Sequence, residues 1–229
     1  MSRSMCCAMN KPILIEAKNI SKFYKDGQVK AVDNLSLQIY DGEILAIRGP
    51  SGSGKSTLLH LLGGLDSPTS GTVFLNGKSI QDVCRQRGFR VKNLGFVFQA
   101  FYLWQNLNVL ENVMLPLMET PLRRKERLLR AKEIINDVGL TDRIKTSVKV
   151  LSMGQRQRAA VARALVAGPS VIFADEPTGS LDSRNAENIL QLLRRLNQER
   201  NVTVVMVTHE NISTEYYDRQ VQVLDGRIC

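Results

Sequence analysis

A glycine-rich stretch at residues 49–57 constrains this chain more than any other feature. It fits the phosphate-binding pattern G-x-x-x-x-G-K-[ST] without a departure, between an apolar run typical of a strand and a leucine-rich run typical of a helix. Glycines let successive backbone N–H groups point at a phosphate, a lysine neutralises its oxygens, and a serine hydroxyl can ligate Mg²⁺. Chance produces such a match in roughly one chain of this length per hundred. The predicted phosphate-binding residues are Gly49, Pro50, Ser51, Gly52, Ser53, Gly54, Lys55, Ser56 and Thr57.

Polar residues follow three further apolar runs that are typical of strands. Asp175 and Glu176 end the run that begins at residue 171, His209 follows residues 202–208, and Gln99 follows residues 94–98. Open α/β sheets bind ligands at the carboxyl ends of their strands. We therefore expect Asp175, with Ser56 and Gln99, to hold Mg²⁺, and Glu176 to polarise an attacking water. A lone histidine is usually structural, but its place at a strand end favours a functional role for His209.

The composition limits the class of protein. The 229 residues suffice for one α/β domain with a smaller subdomain, and 31 basic against 22 acidic residues give a net charge of +9. This charge favours an anionic partner, such as a nucleotide, a nucleic acid or an acidic membrane face, without choosing among them. The four cysteines have neither disulfide-framework nor zinc spacing, so a reducing cytosol is expected. No signal peptide or spanning run is visible, and residues 1–12 are expected to be disordered.

Aromatic residues at two places have both structural and functional interpretations. Tyr24 could stack on an adenine ring, although packing on the sheet edge is the better interpretation of the residue alone. Phe101, Tyr102 and Trp104 follow Gln99 in a predicted loop. They could be core residues or a surface for a partner, and the sequence leaves both interpretations open.

Two predicted helices carry basic faces. One spans residues 121–138, with Pro121 in its first turn and apolar positions on one face. Its arginines and lysines are most simply a solvated face, because the aromatic residues of a single-strand nucleic-acid platform are absent from it. The other helix follows Ser152, a natural N-cap, and runs to residue 167. His60, in the helix after the phosphate loop, is expected to be a packed or hydrogen-bonded residue.

In combination these segments resemble the nucleotide-binding subunit of an ABC transporter, over essentially the whole chain from residue 13. Six motifs occur in the family's order: the P-loop, the Q-loop residue Gln99, the signature at residues 151–155, the Walker B strand ending at Asp175 and Glu176, the D-loop at residues 180–182 and the switch histidine His209. The resemblance implies an α/β P-loop NTPase core with a mainly parallel sheet, an antiparallel β subdomain and a helical subdomain carrying the signature. Residues 13–229 would form a single ATPase domain, with the helical subdomain at about residues 100–165.

The resemblance also implies an ATP-hydrolysing mechanism that needs two copies of the chain. In the family two subunits pair head to tail, and each ATP lies between the P-loop of one and the signature of the other, here Ser152, Gly154 and Gln155. ATP and Mg²⁺ are the implied ligands, and nucleic acid is not an implied partner. Glu176 and His209 would then promote the attack of water on the γ-phosphate.

Closure of the dimer is transmitted, in the family, to separate membrane subunits. Phe101, Tyr102 and Trp104, directly after the Q-loop residue, are the implied contact with an integral membrane permease. The protein would then be cytoplasmic and peripheral on the inner face of the cell membrane. The coiled-coil insertion of DNA-repair members and the second P-loop of ribosome-bound members are both absent from the sequence.

Within the family, residues 62–66, 111–117 and 175–179 are similar to one branch. That branch includes lipoprotein-releasing, macrolide-efflux and heterocyst-glycolipid exporters and the cell-division FtsE type. It implies export or extraction of a lipid, lipoprotein or drug-like substrate, or alternatively a signalling ATPase that activates an extracytoplasmic partner without transport. Two positions depart from the family: Met153 replaces the usual signature glycine, and Trp104-Gln105 replaces a frequent Leu-Pro. The methionine is expected to hinder close approach to a γ-phosphate.

Overall fold

The computed structural model describes residues 11–24 and 28–229, which form two β-sheets and a helical region. The strands are β1 (Ile13–Tyr24), β2 (Val29–Tyr40), β3 (Ile44–Arg48), β4 (Ser70–Leu75), β5 (Lys78–Ser79), β6 (Leu94–Phe98), β7 (Val171–Asp175), β8 (Thr203–Thr208), β9 (Arg219–Leu224) and β10 (Arg227–Ile228). The helices are α1 (Lys55–Leu62), α2 (Ile80–Val83), α3 (Phe89–Asn93), α4 (Val109–Met114), α5 (Arg124–Asp137), α6 (Met153–Leu165) and α7 (Ser183–Arg200). A 3₁₀ turn, Leu115–Glu119, follows α4.

The larger sheet aligns the strand ends that carry the predicted catalytic residues. Its order is β10-β9-β3-β8-β7-β6, and every pair of neighbours except β10 and β9 is parallel. The strands β3, β7 and β8 are almost entirely buried apolar runs, as expected for parallel strands covered on both faces. The register pairs Arg48 with Thr208 and Asp175 with Val207, so these three strands end at one edge of the sheet.

The smaller sheet is antiparallel, with the order β2-β1-β4-β5. In β2, Leu35, Leu37 and Ile39 are buried and the residues between them are exposed, which is the alternation predicted from the sequence. Apolar side chains of this sheet share one core with α1 and with one face of the larger sheet. Helix α1 therefore lies between the two sheets, and its first turn is held next to the P-loop.

The helical region covers the other face of the larger sheet. Helices α4, α5 and α6 share a second core with α7 and with the opposite face of β3, β7 and β8. Helix α6, which carries the signature at its start, also packs against β6. This architecture confirms the predicted α/β fold with a mainly parallel sheet, an antiparallel β subdomain and a helical part.

Helix α5 begins at Arg124, later than the helix predicted to include Pro121 in its first turn. The carboxylate of Glu126 accepts the backbone N–H of Arg123 at 2.6 Å, which caps the helix at that point. The capping interaction, and not the proline, therefore sets where the helix starts.

In the described ranges, no helix is both long and apolar enough to cross a membrane. Cys84 and Cys229 are free thiols, and Cys6 and Cys7 lie outside the described residues. The predicted disordered N-terminus also lies outside them up to residue 10. Pro12 is already part of the fold, because its carbonyl oxygen accepts the backbone N–H of Asp41 at 2.9 Å.

Candidate nucleotide site

The P-loop connects the end of β3 to the start of α1 and has no room for side chains at two of its glycines. A Cβ on Gly54, whose φ is +95°, would lie 1.9 Å from the carbonyl oxygen of Ala31, and one on Gly49 would lie 2.1 Å from that of Val223. The loop is thus held tightly against β2 and β9. Because Gly54 offers no side-chain cap, the first N–H groups of α1 are available to an anion.

Lys55 is a buried cation at the first position of α1. Its Nζ donates to the carbonyl oxygen of Pro50 at 2.7 Å. Burial lowers the pKa of Lys55, and the negative charges of Glu176 and Asp175 oppose this effect. A phosphate oxygen can replace the carbonyl as the hydrogen-bond acceptor and would add a further charge that keeps the lysine protonated.

The carboxylate of Asp175 meets the first turn of α1. Ser56 Oγ donates to Asp175 Oδ1 at 2.9 Å, and His60 Nε2 lies 3.9 Å from Asp175 Oδ2. A hydroxyl and a carboxylate are the hard oxygen ligands that Mg²⁺ prefers, and a site shared with phosphates needs only one or two protein ligands. Ser56 and Asp175 therefore fit the ion predicted for them. Among the described residues, no group of three His, Cys, Asp or Glu side chains could hold a metal by itself.

Glu176 and His209 are in direct contact. His209 Nδ1 and Glu176 Oε1 lie 2.9 Å apart. The backbone of Glu176 has φ +46°, an uncommon conformation for a residue with a side chain, and such strain concentrates at functional sites. A second bond joins the same two loops, since Thr178 Oγ1 donates to Glu210 Oε2 at 2.8 Å. The fold thus brings the two residues predicted to be catalytic together at the edge of the sheet.

Gln99, at the exposed end of β6, borders the carboxylate of Glu176. A Cβ on Gly179 would lie 2.9 Å from Gln99 Nε2 and 3.2 Å from Glu176 Oε2, so the two side chains flank this glycine. In the part of the chain that the structure describes, no hydrogen bond joins Gln99 to Ser56 or Asp175. Its role as a metal ligand stays a prediction.

Tyr24 ends β1 beside the P-loop. Its phenol donates to Asp66 Oδ2 at 2.9 Å, and Lys22 Nζ donates to Asp66 Oδ1 at 2.7 Å while lying 5.1 Å from the centre of the Tyr24 ring. Burial, together with the Asp66 carboxylate, raises the pKa of Tyr24, and a hydrogen bond with Thr57 of the P-loop opposes this shift. The residue is 39% exposed, so a base can reach the ring. Stacking on adenine stays a prediction.

The signature forms the capped start of α6, with Ser152 as the predicted N-cap. The Ser152 hydroxyl accepts the backbone N–H of Gln155 at 3.3 Å, and Gln155 Oε1 accepts that of Ser152 at 3.1 Å. Met153 is 56% exposed, whereas Gly154 is buried. A Cβ on Gly154 would lie 2.7 Å from Oδ1 of Asn185 in α7. Gly154 therefore serves packing within the chain, and Met153 is the signature side chain that projects outward.

The signature and the P-loop do not meet within one chain. Across the described ranges, no hydrogen bond or ion pair connects residues 151–155 with residues 49–57. Further along α6, Gln157 is fully buried and its Nε2 donates to the carbonyl oxygen of Pro177 at 2.7 Å. The signature helix is thus tied to the loop after Glu176, and its capped N-terminus is left exposed.

The three aromatic residues after Gln99 divide into one packing residue and two exposed ones. Phe101 packs against the core of the helical region, whereas Tyr102 and Trp104 are 64% and 66% exposed. Arg163 of α6 fixes their backbone by donating to the carbonyl oxygens of Phe101, at 2.8 Å, and Tyr102. Burial lowers the pKa of Arg163. The core interpretation is therefore right for Phe101, whereas a partner surface at Tyr102 and Trp104 stays a prediction.

Several contributors to the site were not found from the sequence. Arg163 holds residues 101 and 102, and Asn112 is fully buried and makes four hydrogen bonds to the backbone of residues 104–108. Bonds from a side chain to a distant backbone leave no periodic pattern in a sequence. His60 could have been found, because residues four apart, such as Ser56 and His60, share one face of a helix.

A family model described as ABC transporter matches residues 32–179, more than half of the chain. The chain belongs to the ABC transporter family. An uncharacterized ABC transporter ATP-binding protein of Methanocaldococcus jannaschii is 45% identical over 219 residues, covering 94% of this chain and 97% of the relative. The lipoprotein-releasing system ATP-binding protein LolD of Colwellia psychrerythraea is 44% identical, covering 94% of this chain and 85% of LolD.

Solved structures of ABC cassettes share the fold. A dimeric ATP-binding cassette in a post-hydrolysis state, bound to ADP and Pi, matches with a TM-score of 0.85 at 40% identity, covering 94% of this chain and 96% of that one. This chain is thus an ABC-type ATPase, and ATP is its substrate.

Proposed function

We propose that this ABC ATPase works as a head-to-tail dimer, in which each ATP lies between the P-loop of one chain and the signature of the other. The observation that carries the proposal is the separation of the two motifs: in the described part of one chain they share no hydrogen bond or ion pair, and Ser152 and Met153 are exposed. A phosphate on the P-loop would therefore be covered only by a second chain. The dimeric state of the similar cassette supports this pairing.

The hydrolytic step rests on Glu176 and His209. Glu176 accepts a proton from the attacking water, and His209, at 2.9 Å from its carboxylate, holds that carboxylate in place. Lys55 Nζ exchanges its hydrogen bond to the Pro50 carbonyl for one to a phosphate oxygen. Its positive charge then lies beside the phosphate, where negative charge develops during hydrolysis. The contact between Glu176 and His209 is preformed, so ATP binding has to redirect Lys55 and bring in the second chain but not to assemble this pair.

Ser56 and Asp175 are the groups that fit Mg²⁺, with Gln99 at the neighbouring strand end. When bound, the ion neutralises charge on the β- and γ-phosphate oxygens. Ser56 already hydrogen-bonds Asp175, so both oxygens are oriented toward one another before any ion arrives.

The exposed aromatic residues form the contact with a membrane permease. We call residues 101–104 the docking segment; within it Phe101 anchors the backbone, and Tyr102 and Trp104 face outward. Large aromatic side chains are enriched at the energetic centres of protein interfaces. The ATPase would thereby be a cytoplasmic protein held peripherally on the inner face of the cell membrane.

The transported substrate belongs to the class of lipids, lipoproteins or drug-like molecules. Support comes from the 44% identity with LolD, a component of a lipoprotein-releasing system. An acylated protein embedded in the membrane is therefore the first substrate to test. A signalling ATPase of the FtsE type would share every hydrolytic residue but release nothing.

Reconstitution with the membrane protein encoded beside its gene tests the proposal. We expect the partner to stimulate ATP hydrolysis in vesicles and an acylated protein to leave the vesicles only when ATP is supplied. The Glu176→Gln variant, matched in shape, should support neither. Stimulated hydrolysis without release would favour the signalling alternative, and the absence of stimulation would contradict a role in transport.

A further inference from the structure

A concentration of unpaired positive charge lies on the helical side of the molecule. The basic patch, as we define it, consists of exposed side chains from two segments, namely Arg85, Arg87, Arg90, Arg123, Arg124 and Lys125. Within the ranges that the structure describes, none of the six takes part in an ion pair. An ordinary solvated face mixes charges of both signs as i,i+4 pairs, so this cluster needs another explanation.

The two segments form one surface because the 3₁₀ turn Leu115–Glu119 packs on the start of α3. A Cβ on Gly88 would lie 3.4 Å from the carbonyl oxygen of Glu119. The first turn of α5 is tied back to the same 3₁₀ turn, since Arg127 Nη1 lies 3.1 Å from Met118 Sδ. Met118 is 62% exposed. An accessible apolar side chain thus lies among the arginines.

Few acidic side chains balance the patch. Asp82, Glu119 and Glu126 are the carboxylates on the same segments, and Glu126 is engaged in capping Arg123. Three carboxylates against six basic groups leave a net positive surface. This composition, arginines with an exposed apolar side chain, is typical of surfaces that bind anionic membranes.

A groove extends from Arg90 of the patch to Phe98 and Arg163, which contact the docking segment. Its lining includes Arg90, Phe98, Pro116 and Arg163. The ring centre of Phe98 lies 5.2 Å from that of Tyr102, and Arg163 holds the backbone of the docking segment. A permease seated on Tyr102 would therefore lie near the basic patch, and the patch would be on the side of the ATPase that faces the membrane.

We propose that the basic patch binds the anionic phospholipid headgroups of the membrane that holds the permease. The inference rests on the proposed function, because the permease sets which side of the ATPase faces the bilayer. Guanidinium groups bind phosphate oxygens in bidentate fashion, and Met118 enters the headgroup layer beside them. The cytoplasmic leaflet is negatively charged, and each basic residue near it raises the affinity about fivefold.

Sedimentation of the full chain with vesicles tests this proposal in the absence of any permease. We expect binding to vesicles of phosphatidylcholine mixed with phosphatidylglycerol, weaker binding to phosphatidylcholine alone, and release at high salt. The double variant Arg87→Gln with Lys125→Gln should weaken binding about 25-fold, from two fivefold effects. The control Lys18→Gln with Lys145→Gln removes the same charge from exposed positions outside the patch and should change binding by less than about twofold.

Three results would overturn the proposal. Equal weakening by both double variants would mean that only net charge matters, and equal binding to the two kinds of vesicle would mean that anionic lipid is not recognised. If the variant Arg87→Gln with Lys125→Gln bound vesicles normally but lost binding to a single-stranded RNA oligonucleotide, the patch would be assigned to nucleic acid. Both double variants should retain ATP hydrolysis. A failure of the transport proposal is distinguishable, because the permease would then not stimulate ATP hydrolysis although the ATPase still bound vesicles.

Discussion

The contact between Glu176 and His209 is made by residues at the ends of two neighbouring parallel strands. Strand β7 delivers Asp175 and then Glu176, and β8 delivers His209, so the backbone register places the carboxylate and the imidazole 2.9 Å apart. Lys55 lies close enough to both carboxylates for their charges to oppose the lowering of its pKa by burial. The proposed tasks are separable, since Lys55 would bind phosphate and Glu176 would act on water.

Replacing Glu176 by glutamine should stop turnover and leave ATP binding intact, because the amide keeps the shape and loses the proton acceptor. We expect hydrolysis to fall by at least about a hundredfold, the usual contribution of a general base. Phosphate release and binding of a fluorescent ATP analogue measure the two properties. Lys55→Ala is the contrasting variant, which should lose binding itself. A Glu176→Gln rate within about threefold of the unaltered protein, at equal nucleotide affinity, would refute the assignment.

Helices, strands and loops that are encoded in consecutive residues can be predicted from the sequence, whereas features that depend on distant contacts cannot. The strands β3, β7 and β8, the P-loop and the capped start of α6 are each encoded in a few consecutive residues, and all were predicted. The predicted start of α5 was wrong, because the Glu126 side chain and not Pro121 determines where the helix begins. Phe101 could not be separated from Trp104, because burial depends on the distant Arg163 and on the packing of the helical region.

Asn112 organises the loop that presents the docking segment. Asn112→Leu, similar in volume, would remove four hydrogen bonds and leave partly buried backbone groups of residues 104–108 without these partners. We expect a loss of about 2 kcal/mol in the free energy of unfolding. The melting temperature should fall by about 4–8 °C in a calorimetric scan. The same substitution at exposed Asn106 is the control; equal effects of the two would mean that the four bonds do not hold the loop.

Helix α6 presents Met153 where the family usually has glycine. If this exposed side chain crowds the γ-phosphate held by the partner chain, Met153→Gly should relieve about 1 kcal/mol and tighten the ATP-bound dimer about fivefold. Hydrolysis should rise as well. Light scattering in the Glu176→Gln background measures the dimer, with Met118→Gly as a control at another exposed methionine. Unchanged dimerisation would mean that Met153 points away from the nucleotide.

For the whole molecule, the docking segment is the expected connection to the membrane. Trp104→Ala should weaken permease binding by about thirtyfold or more, since truncation of a central interface aromatic costs about 2 kcal/mol. Its 66% exposure predicts that folding and basal hydrolysis persist. Binding to the reconstituted permease and hydrolysis in solution are the paired measurements. A variant that loses both would show that Trp104 supports the fold, and the contact would have to lie elsewhere.

In the proposed dimer, each chain holds two half-sites that only a second chain completes. Multi-angle light scattering of the Glu176→Gln variant tests it most directly, because bound ATP cannot then be cleaved. We expect the mass of a single 25.6 kDa chain without nucleotide or with ADP, and twice that mass with ATP. A species that binds ATP fully and keeps the mass of one chain would contradict it.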